Sequence, residues 1–119
     1  MNHRLKYYGP TLFWAILIFI LSSIPSLKQP DMGFSMQDKL AHAAEFGIFG
    51  FLLQRSFSHA YGRYFKIFMI VLIVGIGYAG LDEIHQSFVR GRICSFRDFF
   101  ADSIGMIIGQ ALFLDKIVK

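Results

Sequence analysis

One cysteine, Cys94, stands in the whole chain of 119 residues, which excludes an intramolecular disulfide and a thiolate metal cage. Charge is scarce too. Asp, Glu, Lys and Arg make up 17% of the chain against 55% hydrophobic residues, whereas roughly a quarter of a soluble domain is charged. Internal repeats, low-complexity tracts and long linkers are missing, so residues 1–119 are read as one domain. An Ala-x-Ala-like site is lacking after Ser22. The basic start and apolar run of residues 1–26 therefore read as a retained first helix, not a cleaved signal peptide. A basic stripe is absent as well. The net charge of +4 is scattered over helix ends and loops, which argues against nucleic acid as a partner. It reads instead as orientation charge in contact with anionic lipid head groups.

What is present is apolar sequence in four blocks. Expected membrane spans run over about 10–24, 39–57, 64–83 and 98–115, each close to the lower limit of roughly 17–25 residues for a crossing. Helices are the economical choice, because open backbone in lipid leaves polar groups unsatisfied. The expected fold class is an all-α membrane protein, a bundle of four transmembrane helices with short loops. The longest connection is the proline-containing segment 25–37. Arg4, Lys6, Arg55, Arg63, Lys66, Lys116 and Lys119 fall on one side, and Lys28, Lys39, Arg90, Arg92 and Arg97 on the other. The bias predicts both termini in the cytoplasm.

The eight acidic residues are unevenly placed, six of them in three clusters at the ends of apolar blocks. These are Asp38-Lys39-Leu40-Ala41-His42-Ala43-Ala44-Glu45, then Asp82-Glu83-Ile84-His85-Gln86, then Asp98 with Asp102. Ionisable groups at membrane depth are costly and usually face a protein interior or a wet cavity. Span count alone brings all three clusters to one end of the bundle; the charge bias makes that end extracytoplasmic. At 100° per residue, Asp38, His42, Glu45 and Phe49 share one side of the second helix, within about 60°. Asp98, Asp102, Gly105 and Gly109 repeat this spacing on the fourth, where Gly105 and Gly109 form a GxxxG that admits a close partner helix. On the third, Asp82, His85 and Gln86 share a side with Tyr78, and Glu83 is expected to be rotated away. Trp14 and Tyr7-Tyr8 read as interfacial anchors, His3 and His59 as solvated side chains, and Gly75, Gly77 and Gly80 as sites of close packing.

Three kinds of chemistry fit these clusters. A salt-bridge network could pin three helix ends. A catalytic site could use Asp38, His42, Glu45, Asp82, Glu83, Gln86 and Asp98 as candidate acid, base or polar groups, with Lys39 and Arg92 gripping an anion. A divalent metal could be held by His42, Glu45, Asp82 and Asp102, since His and Glu three apart with acids from facing helices is how bundle-core metal sites are built. Sequence alone leaves enzyme and non-enzyme readings open.

Asp38-Lys39-x-x-His42, Asp82-Glu83-x-His85-Gln86 with Gly91-Arg92, and Asp98-x-x-x-Asp102-x-x-Gly105 keep an order and spacing that resembles the VanZ-like family of small bacterial membrane proteins. The resemblance runs from about Asp38 to Gly109. It implies a multi-pass protein of the bacterial cytoplasmic (inner) membrane, with polar motifs at the outer helix ends and a cell-envelope role. A lipid-linked envelope precursor would then be a partner besides the bilayer. The family's name implies a link to resistance against the glycopeptide teicoplanin. Two positions depart from the family pattern: Asp102 stands where Asn is usual, and Arg90 where Pro is frequent. The alternative is a non-enzymatic accessory membrane protein whose charges form a network.

Overall fold

The computed structural model describes residues 3–23, 37–89 and 96–118, with side chains over 4–23, 39–89 and 96–115. Every regular element in them is helical: α1 (His3–Ser22), α2 (Gln37–Tyr61), α3 (Phe65–Ser87) and α4 (Phe96–Val118). All four expected helices are there and run past the expected spans except at the end of α1 and the start of α3. By length and apolarity, α1 over Arg4–Ser22 and α3 over Phe65–Ser87 could cross a membrane. In α2 and α4, the acidic and basic motif residues dilute the apolar sequence.

Sequential helices alternate in direction. Helix α2 touches the other three and packs most extensively on α4, whereas α1 and α4 do not meet among the described residues. Glycine sets the α2–α4 approach. A Cβ at Gly105 would strike the backbone of Ala43, and one at Gly109 the backbone of Gly47 and Phe51. The GxxxG is thus the seam that lets two helix backbones meet. Gly75 is buried and leaves room for the Met106 side chain, but nothing lies within 4 Å of a Cβ on Gly77, so close packing is not its role. Ile18, Phe46, Phe49, Leu53, Ile67, Val71, Ala79 and Met106 form the apolar core. Outside it, Leu12, Phe13, Phe19, Ile73, Leu81, Ile104 and Leu112 are each more than half exposed, an apolar belt of the kind that marks a membrane or protein contact surface.

Helix α1 contains Pro10, which lacks the N–H that would bond to the Lys6 carbonyl. Arg55 of α2 fills that vacancy, donating from Nη1 to the Lys6 carbonyl at 3.0 Å. Beside it the Thr11 and Ser56 hydroxyls share a hydrogen bond at 2.6 Å, and Ser56 Oγ reaches the Tyr7 carbonyl at 2.6 Å. Arg55, read from sequence as orientation charge, also repairs a helix. Trp14 differs from expectation as well. It packs against the core and its indole N–H donates to the Glu45 carbonyl at 2.9 Å, because α1 leans on α2 at that height.

Candidate functional site

Where α2 and α4 begin and α3 ends, the three acidic clusters meet. Lys39 and His42 lie one turn apart on α2, and Asp98 and Asp102 one turn apart on α4, so the pairs face each other across the glycine seam. Lys39 Nζ donates to Asp98 Oδ1 at 2.5 Å. His42 Nδ1 lies 3.0 Å from Asp102 Oδ1, and His42 Nε2 lies 3.7 Å from Asp98 Oδ2. With Asp102 ionised, its carboxylate accepts from His42 Nδ1–H. That bond fixes the ring, while the Nε2–Asp98 gap exceeds hydrogen-bond length. The result is an oriented imidazole between two acids, a geometry suited to passing a proton.

Helix α3 supplies the third wall. Asp82, Glu83 and Gln86 are all buried, and Gln86 Nε2 donates to Asp82 Oδ2 at 3.4 Å. The expectation that Glu83 turns away is corrected: it is 3% exposed, less than Asp82. Buried positions on α3 recur at intervals of four as Ile67, Val71, Gly75, Ala79 and Glu83. Each interval of four advances the stripe about 40° around the helix. The inward side at the top of α3 is therefore not the inward side at its base.

His85 is also redirected. It stacks on Phe19 with ring centroids 4.6 Å apart and pairs with Ser23 Oγ at 2.8 Å, tying α3 to α1. Asp102 is completely buried, and its Oδ2 has no hydrogen-bond partner among the described residues.

Two groups of possible ligand atoms lie within 4.8 Å of one another: His42, Glu83 and Asp98, and Asp82, Glu83 and Asp102. Of the four metal candidates read from sequence, His42, Asp82 and Asp102 each belong to one group. Glu45 belongs to neither, and Glu83 belongs to both. Glu45 is half-buried one turn deeper on the His42 face. Arg92 and the side chain of Asp38 lie outside the described residues, as do Arg90 and Cys94.

A second polar layer escaped the sequence reading. Gln54 and Gln110 are fully buried deep in the bundle, where Gln110 Nε2 donates to Gln54 Oε1 at 2.9 Å and approaches the Phe68 carbonyl at 3.0 Å. Gln54 in turn donates to Ser58 at 3.0 Å. The available signal was an amide within the apolar stretch of each of two helices, the residue type that bonds helices across a membrane.

No curated protein and no solved structure matches the chain. A family model described as VanZ/LLP1 matches residues 7–119, which takes in all three motifs and most of α1. The chain therefore belongs to the VanZ/LLP1 family.

Proposed function

We propose that this is a four-span protein of the bacterial inner membrane, with both termini cytoplasmic. Its acidic and basic cluster faces the extracytoplasmic side and recognises a lipid-linked or phosphorylated envelope component. The observation that carries the reading is His42, held by Asp102 and facing Asp98 while Lys39 engages the same Asp98. In this reading Lys39 and Arg92 contact the anion. His42, backed by Asp102, is the proton carrier if the component is chemically modified. Asp38, Glu45, Asp82, Glu83 and Gln86 complete the polar wall.

The exposed apolar belt supports immersion in lipid. An apolar cleft of about 420 Å³ between α2 and α4 starts at Ala43, beside His42, and descends past Gly47 and Phe51 to Leu112. A cleft of that kind would accept an acyl or prenyl tail. Glycopeptide response, teicoplanin included, is a phenotype to test on the strength of the family resemblance alone.

The test is binding of a polyprenyl phosphate to the purified protein, with teicoplanin susceptibility as the cellular readout. His42→Gln and Arg92→Ala should remove binding while the melting temperature holds. If both variants instead unfold readily and residual folded protein binds normally, the cluster is a structural network and the accessory reading takes over.

A second reading has its own support. Two oxygens ligating one divalent cation from opposite sides lie about 4.8 Å apart, and the Asp82, Glu83 and Asp102 atoms fall within that span. Asp102 Oδ2 is buried and open to a ligand. A cation there would invert the charge of the pocket toward a phosphate. Titration with Ca²⁺, Mn²⁺ or Mg²⁺, followed by calorimetry, should give near-stoichiometric binding of one of them that Asp102→Asn weakens; no heat in wild type with any of the three refutes it.

A further inference from the structure

A different site lies at the opposite end of the bundle, where α1 and α3 begin and α2 and α4 end. We propose that the cleft bounded by Tyr7, Arg55, Ser58, His59, Arg63 and Phe113 binds an anionic phosphate group.

The cleft holds about 340 Å³, ample for a phosphate and the first atoms attached to it. Its floor is held in place by ring stacking and a hydrogen bond between α1 and α2. His59 is exposed, as expected from sequence, and one face of its ring stacks on Tyr7 with centroids 3.7 Å apart and planes within 8°. The Arg55 guanidinium lies over the Tyr7 ring at 4.7 Å from its centroid and is anchored by its bond to the Lys6 carbonyl. One of its five donors is spent there, and the planar fork keeps others for a phosphate oxygen. Ser58 adds a hydroxyl, and Arg63, exposed on the short α2–α3 connection, adds a second guanidinium.

The electrostatics of this end ask for an anion. Neither α1 nor α3 has an acidic residue in its first turn, and Lys6 and Lys66 lie near these positive helix ends. The carboxyl ends of α2 and α4 at the same end offset the α1 and α3 dipoles, so the attraction for an anion comes from the Arg55 and Arg63 guanidinium groups. Asp115 near the end of α4 is the nearest acid in sequence to this cluster and is not among the residues lining the cleft. The phosphate could belong to the head group of an anionic lipid in the adjoining leaflet or to a soluble phosphate compound.

The experiment uses the full chain in phosphatidylcholine nanodiscs, with and without limiting phosphatidylglycerol. Native mass spectrometry counts retained lipid, and NMR of the His59 ring follows titration with inorganic phosphate. Phosphatidylglycerol retained above phosphatidylcholine, and lowered about five-fold by Arg63→Gln, identifies a lipid head group. A saturable His59 shift with inorganic phosphate, lost in Arg63→Gln and absent with phosphatidylglycerol, identifies a soluble source. Arg63 is exposed, so its replacement leaves folding intact, and the melting temperature checks this. The proposal is overturned if neither ligand is preferred, or if Arg63→Gln and His59→Gln both retain wild-type binding.

Discussion

Gly109→Ala should be among the most damaging single-methyl changes in this protein, and Gly77→Ala among the mildest. A Cβ on Gly109 would meet the carbonyl oxygen of Gly47 head-on, its carbonyl carbon at 2.8 Å and the Phe51 nitrogen at 2.9 Å. All three are backbone atoms of α2, so no side-chain rotation relieves the clash. The oxygen would lie more than about 1 Å inside ordinary contact distance, so α2 and α4 must separate along their seam. Overpacking of a tight interior costs about 1–3 kcal/mol, and the rigid neighbours place this case at about 3. Separation also stretches the bonds the seam holds in register: Lys39 to Asp98, and His42 to Asp102. At Gly77 an added Cβ meets nothing within 4 Å. Alanine there gains helix propensity of about 1 kcal/mol. Both variants should be unfolded reversibly in mixed detergent micelles, with helicity followed by circular dichroism. Equal stability of Gly109→Ala and wild type, or an equal loss in Gly77→Ala, would refute the claim that the glycine seam sets the helix spacing.

The buried amide pair makes a double-mutant prediction. Gln110→Ala should cost about 2 kcal/mol by leaving Gln54 Oε1 without its donor, while Gln54→Leu with Gln110→Leu should recover most of that loss in the same unfolding assay. Lys39→Met should cost about 2 kcal/mol, between the values for exposed and fully buried ion pairs, since Lys39 is 27% and Asp98 10% exposed; a loss that is not reduced in an Asp98→Asn background would show that the pair is not the cause. Arg55→Ala should loosen the N-terminal half of α1 by baring the Lys6 carbonyl, seen as faster amide exchange at residues 7–13 but not in α4. Pro10→Ala should restore protection, because it returns the missing N–H.

The four helices were legible because each block is mostly apolar over many turns, although only α1 and α3 are apolar enough throughout to cross a membrane. The meeting of the three acidic clusters followed from counting antiparallel helices, with no side chain needed. The Asp98–Asp102–Gly105–Gly109 face was legible as well, since a spacing of four, three and four keeps residues on one side of a helix whatever surrounds it. Within α3 the same arithmetic failed for Glu83. Which arc of a helix is inward depends on how its neighbours cross it, and that angle is not local information.

Pairing lies beyond the sequence for the same reason. Nothing local to Arg55 names the Lys6 carbonyl, 49 positions away, as its acceptor. Nothing local to His59 names Tyr7, and nothing in two isolated glutamines says that they meet. The sequence by itself determined the helical class, the positions of the charged motifs along the chain and the family. Tertiary structure alone decided that His42 lies between Asp98 and Asp102 and that Glu83 faces inward. It also decided that Arg55 closes the gap left by Pro10. Those are contacts between distant segments, and they form only once glycine has allowed α2 and α4 to touch.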